Sequence, residues 1–177
     1  MSDLQLALIG NSSSSALLDG RARIVWACLP RFDSEPVFDS LLKDGEGEPD
    51  DGFYEIELLD AVRSEQEYVA NTAVLITRLF DSRGAAVEIA DFAPRFKQFG
   101  RMFRPLMMVR SARPLGGSPR VRIRLRPTTS MAKTPPVRTH GSNHVRYVMP
   151  GITLRLTTNA SVTAVLDESA FVLDRRL

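Results

Sequence analysis

Apolar positions along this chain come in short runs, and most of them alternate with polar positions at the period of two that a half-buried strand presents. Residues 22–29 (ARIVWACL) make the strongest run, rich in β-branched and aromatic side chains. Residues 4–9 precede it, and Asp19-Gly20 between the two suits a tight turn. Residues 53–58 (FYEIEL) alternate apolar with charged. Residues 73–80 and 85–92 flank a loop whose Gly84 can take a positive φ, which predicts a hairpin. Further strands are expected at 105–112 and 120–126, on either side of a Pro/Gly-rich connection. Others are expected at 145–149, 152–157, 162–166 and 171–173, with turns at Pro150-Gly151 and Asn159-Ala160. Residues 37–43 follow Pro36 and read as one or two helical turns, with Ser34 as a cap. Residues 44–52 form an acidic, turn-rich loop, and residues 128–143 read as a long mobile loop. The pattern predicts an all-β fold: one large antiparallel β-sandwich over residues 1–177, with one short helical segment.

Composition changes this picture little. Apolar content of 44% and charged content of 25% are ordinary for a globular domain. No apolar stretch is long enough for a membrane span. The N-terminus shows neither a basic leader nor a cleavable apolar segment, so no secretory signal is expected. A lone cysteine, Cys28, excludes an internal disulfide and fits a reducing cytoplasm. Charge is more informative. Residues 1–91 hold 7 basic and 18 acidic side chains, a net of −11, and residues 92–177 hold 16 and 3, a net of +13. Such halves either pair with one another or present a face to a charged partner.

Candidate chemistry is sparse. His140 and His144 are separated by Gly141, Ser142 and Asn143, which disfavour a metal-binding helix, and no metal site is expected. Cys28 lies in an apolar strand and reads as packing rather than as a nucleophile. The serine run at 12–15 lacks the frame of a nucleophile elbow. No phosphate-cradling loop is present in the right context, and no cofactor is expected. Asp33, Glu35, Asp39 and Asp91 supply carboxylates, but none sits in a frame that marks a glycosidase acid. Arg120, Arg122, Arg124 and Arg126 alternate with Val121, Ile123 and Leu125, which places four guanidinium groups on one face of a strand. That stripe either binds a polyanion or pairs with the acidic half of the same domain.

Residues 6–11 (LALIGN), 16–18 (ALL) and above all 24–38 (IVWACLPRFDSEPVF) resemble the opening of bacterial glycoside hydrolase family 15 proteins, which are glucoamylase- and trehalase-like. Softer matches follow in the family's order: Tyr68, Asn71-Thr72, Leu75, Thr77, Gly84, residues 91–94 (DFAP), Arg110, Pro114-Leu115, Gly117 and Arg126-Pro127. The chain departs from the pattern at Asn11, where an acid is common, and at Glu35, which separates Ser34 from Pro36. It departs again after Pro127. The resemblance implies a non-catalytic N-terminal β-sandwich ahead of an (α/α)6 barrel. That barrel carries both catalytic glutamates for inverting hydrolysis of α-glucosidic bonds. The barrel is expected to be absent from this chain, so no catalytic residue is assigned here.

The leading expectation is therefore a support and docking domain, with Arg31, Phe32 and Asp33 facing the barrel or its substrate entrance. A local reading of the same residues has Asp33 capping the next turn, Arg31 paired with it and Phe32 in the core. The alternatives are a stand-alone carbohydrate-binding module, which requires exposed aromatics, and a polyanion-binding domain built on the arginine stripe. The expected partners are the catalytic barrel and, through it, an α-glucoside or oligosaccharide, with no membrane and no nucleic acid. A sandwich cut from its barrel is also expected to self-associate.

Overall fold

The computed structural model describes residues 5–43, 50–128 and 135–177. From the N-terminus come β1 (Ala7–Gly10), β2 (Ser15–Leu18), β3 (Ile24–Cys28), β4 (Pro36–Phe38), a 3-10 turn (Ser40–Leu42), β5 (Phe53–Leu58), β6 (Ala61–Tyr68), β7 (Leu75–Asp81) and β8 (Ala86–Phe92). There follow β9 (Phe96–Gln98), β10 (Arg101–Phe103), β11 (Val109–Gly116), β12 (Arg120–Arg126), β13 (Val137–His140), β14 (His144–Met149), β15 (Ile152–Thr157), helix α1 (Val162–Leu166) and β16 (Phe171–Val172). The expected all-β, sandwich-like architecture is what forms. One sheet runs β1-β2-β3-β5-β12-β16, with β4 added on β3, and a second runs β11-β8-β7-β6. Every strand pairing is antiparallel.

The alternation read from the sequence sets which face is buried. Ile56 and Leu58 on β5 and Val121, Ile123 and Leu125 on β12 meet Leu75, Leu79, Val87 and Ile89 from the second sheet in one core. The turn before β3 is tied by Asp19, whose carboxylate accepts from the backbone N–H of Arg21 and of Arg23, both at 2.9 Å. Strand β3 begins only at Ile24, because Ala22 sits in the left-handed region at φ +61°. A third sheet, β13-β14-β15, buries Val145 and Tyr147. Helix α1 packs against β12 and β14.

Several expectations are corrected. Residues 36–38 form β4 rather than a helix. The strand pairs with β3 at Ala27 and Cys28 and buries Val37 and Phe38, so sheet pairing overrides the helical reading. Only the single 3-10 turn follows it, after Asp39, and Ser34 does not cap it. Residues 162–166, read as a strand from their β-branched content, form α1, because the Ser161 hydroxyl caps the Ala164 N–H at 3.3 Å. The loop read over 128–143 contains β13, which pairs with β14; residues 129–134 lie outside the described residues. So do residues 44–49 of the acidic loop. The strand read at 105–112 is displaced to 109–116. It runs through Pro114 because β11 is an edge strand with an irregularity between Pro114 and Gly116.

Candidate functional site

Arg31, Phe32 and Asp33 occupy the loop between β3 and β4, just after a cis Leu29–Pro30 peptide. The loop closes on itself locally. The Ser34 N–H donates to the Arg31 carbonyl at 3.1 Å, and the Arg31 N–H donates to the Ser34 hydroxyl at 3.2 Å. Within that turn the Arg31 guanidinium makes a two-pronged contact with the Asp33 carboxylate, with Nε–Oδ1 and Nη2–Oδ2 both at 2.9 Å. Both side chains stay in water, 76% and 70% exposed, so the pair adds little stability and serves chiefly to fix the turn. Phe32, between them, is 55% exposed. The local reading therefore holds for the Arg31–Asp33 pair and fails for Phe32, which is not in the core. Asp33 engages Arg31 rather than capping the next turn. Beside this loop lies a cleft of about 610 Å³, lined by Pro30, Ser34 and Pro36 on one side and by Thr128, Met149 and Ile152 on the other.

Three of the four arginines of the β12 stripe pair within the domain, Arg122 and Arg124 with glutamates of the acidic half and Arg126 with Glu168 near the C-terminus. Arg122 donates to Glu57 at 2.8 Å, Arg124 to Glu55 at 2.5 Å and Arg126 to Glu168 at 2.8 Å. Glu55 also receives Arg23 at 3.1 Å. Arg23, Arg124 and Arg126 all stand over the ring of Phe53, within 4.9–5.7 Å of its centroid. The Arg126 contact holds the Glu168 carboxyl below its ordinary value, and Arg113, followed by Arg78, does the same for Glu88 on β8. With these three neutralised, Arg120 is the stripe's exposed member, in no ion pair among the described residues, and a single guanidinium is a poor polyanion site, which weakens that alternative.

Sequence reasoning did not single out a deeply buried ion pair between two strands. Asp91 on β8 and Arg110 on β11 are register partners, with side chains 0% and 2% exposed. Arg110 Nε and Nη2 donate to Asp91 at 2.8 and 3.1 Å, Nη1 donates to the Tyr54 carbonyl at 2.8 Å, and Nη2 reaches the Ala22 carbonyl. Its guanidinium also lies 4.6 Å from the Tyr54 ring centroid. The contact therefore staples the second sheet to the first. The remaining candidates are structural. Cys28 is half-buried, and burial pushes its thiol up rather than activating it. His140 ends β13 and His144 begins β14, where its ring meets the Asn143 side chain at 3.2 Å. Among the described residues no group of three or more His, Cys, Asp or Glu side chains is placed to hold a metal ion. No helix among them is long and apolar enough to cross a membrane.

Comparison with known proteins agrees with the resemblance carried by residues 24–38. The chain is 38% identical over 89 residues to Trehalase 1 of Sulfolobus acidocaldarius, an alignment covering 50% of this chain and 15% of that protein. It is 31% identical over 99 residues to the trehalase of Thermoplasma volcanium, covering 55% and 15% respectively. The matched region is thus a small fraction of each relative's length. No solved structure matches the chain. The family model described as trehalase-like, N-terminal, matches residues 4–170, nearly the whole chain, and the protein therefore belongs to the trehalase-like N-terminal domain family.

Proposed function

We propose that this domain is the non-catalytic sandwich of a glycoside hydrolase of family 15, which supports and docks on an (α/α)6 barrel that cleaves α-glucosidic bonds. The observation that carries the reading is the family match over residues 4–170 together with relatives that are trehalases and extend far beyond the matched region. The geometry supports it. The largest charge contacts knit the sheets together rather than converging on a reacting centre, whereas the Arg31–Asp33 turn holds Phe32 out in solvent beside a cleft. A rigid turn that presents an aromatic between two ionic groups suits contact with a neighbouring module or its substrate entrance.

Two measurements test this. Coding sequence beyond residue 177 that specifies helical repeats with two well-separated glutamates supports the reading, and a stop codon there removes it. In the complete hydrolase, Arg31→Ala and Asp33→Ala are expected to lower kcat/KM several-fold while leaving the domain's thermal midpoint nearly unchanged. Unchanged catalysis in both variants would show that this turn faces neither the barrel nor the substrate entrance.

A further inference from the structure

Between β8 and β11 the chain builds something that does not belong to the sandwich. Among the described residues, strands β9 and β10 pair only with each other, and all their residues are exposed. Phe96 and Phe103 stack on one another, ring centroids 5.7 Å apart, without being covered. With Phe99, Met102, Leu106 and Met107 they place six large apolar side chains in water within 12 residues. Isolated exposed apolar residues need no explanation, but a contiguous group of this size marks an interaction surface.

The tip sharpens the point. Gln98 pairs with Arg101, so Phe99 and Gly100 are the two central residues of the turn, at φ +48° and +73°. Such a turn favours Asn or Asp followed by Gly. A bulky aromatic is strained at positive φ, and Phe99 is in addition 89% exposed. Neither its backbone nor its burial within this domain accounts for a phenylalanine at that position, whereas a pocket on a partner would.

The hairpin is also held at its base. Asn11, 2% exposed, donates through Nδ2 to the Pro94 carbonyl at 3.0 Å and the Pro105 carbonyl at 2.9 Å, the two feet of the excursion. Its Oδ1 accepts from the N–H groups of Ser13 and Ser14 at 3.0 and 3.1 Å, which fills the amide's capacity. Arg95 adds a tie to the Ser12 hydroxyl at 3.0 Å. A carboxylate at position 11 cannot donate to either foot.

We propose that the β9–β10 hairpin is the apolar anchor by which this domain seats on its catalytic module, with Asn11 as the positioning residue that sets the hairpin's angle. The inference rests on the docking reading above and names the surface that performs it. Two further observations select this occupant. The hairpin's charges, Arg95, Lys97, Arg101 and Arg104, are all positive, and the sequence has no acidic residue from 92 to 166, so the complementary surface is apolar with an acidic rim. Leu177 is bonded to β11, its N–H to the Ala112 carbonyl at 2.8 Å and its carbonyl to the Ser111 hydroxyl at 3.0 Å. A segment following residue 177 would therefore set out beside the strand into which the hairpin returns.

The test uses the full-length polypeptide with a protease site placed after residue 177, cut after folding, and measures the association of the two pieces by sedimentation. The wild-type pieces are expected to stay together, and Phe99→Asn combined with Phe96→Ser to raise their Kd at least tenfold. Phe99→Asn alone separates docking from folding: asparagine suits the turn, so the domain's thermal midpoint is expected to hold or rise while binding weakens. Asn11→Asp is expected to weaken binding as well, with faster amide exchange across residues 96–103. If the wild-type pieces hold together and the double variant binds equally well, the hairpin proposal fails and the docking reading stands. If the wild-type pieces separate, both fail. If they separate while the isolated domain forms a dimer that Phe99→Asn dissolves, the surface belongs to a second copy of this chain and the proposal is overturned.

Discussion

Between the sheets, four of the five N–H donors of Arg110 meet acceptors; on the β9–β10 hairpin, Lys97 and Arg101 stand in solvent beside uncovered phenylalanines. Among the described residues no carboxylate pairs with Arg95, Lys97, Arg101 or Arg104, whereas Arg23, Arg122, Arg124 and Arg126 all contact glutamates. The difference shows that arginine content by itself says little here. A buried guanidinium is tolerable only when acceptors surround it, and it then acts as a structural bolt. An exposed one beside apolar surface retains its donors for a partner. One region is electrostatically complete within the domain, and the other is not.

The largest effect expected from breaking this contrast is at the bolt. Asp91→Ala leaves a buried guanidinium without its counter-charge and is expected to lower unfolding free energy by about 3–5 kcal/mol, read from the urea midpoint. A loss below about 1 kcal/mol would mean that the two carbonyl contacts suffice to hold Arg110.

A smaller effect concerns pH. Arg113 and Arg78 depress the Glu88 carboxyl below its ordinary value of 4.5 in the folded state. The stability this contributes is fully present above that ordinary value and is lost as pH falls through the depressed one. Wild-type thermal midpoints are therefore expected to fall more steeply on acidification below about pH 4.5 than those of Glu88→Gln. Identical slopes would show that the Arg113 and Arg78 contacts do not persist in solution.

The smallest effect is expected on the hairpin. Arg101→Ala should shift the isolated domain's midpoint by no more than about 1–2 °C, since an exposed charge without a local partner contributes little. A larger loss would place Arg101 among the internal contacts and blur the contrast between the two regions.

How legible these regions were in the sequence follows the same division. β7 and β8 were readable because burial largely follows one face, and β5 and β12 because their apolar residues alternate with charged ones, although Glu55 and Arg124 on the opposite face are buried as well. β6 was not, because an edge strand with most of its side chains exposed (AVRSEQEY) carries no apolar period. The hairpin was missed for a related reason. Its apolar residues point outward, so Phe96, Phe99, Met102 and Phe103 fit no core-facing template, although their density beside Gly100 was a usable signal. The Trp26–Phe38 resemblance located the Arg31–Asp33 turn but not the exposure of Phe32, which depends on how Ser34 closes the loop. Asn11, visible only as a departure from a family pattern, gained a physical role once Pro94 and Pro105 were seen to meet at its amide.

The charge division between the two halves of the chain has a kinetic consequence as well. Strands β5 and β12 are joined across some 65 residues of sequence, with Glu55 and Glu57 on one and Arg122 and Arg124 on the other. Before they meet, the net −11 and +13 segments attract over distances that neither hydrogen bonding nor apolar contact can span. That attraction is expected to narrow the search for this non-local pairing. Salt, by shortening its range to about 10 Å at 0.1 M, slows the encounter of strands whose final contacts are largely shielded from it.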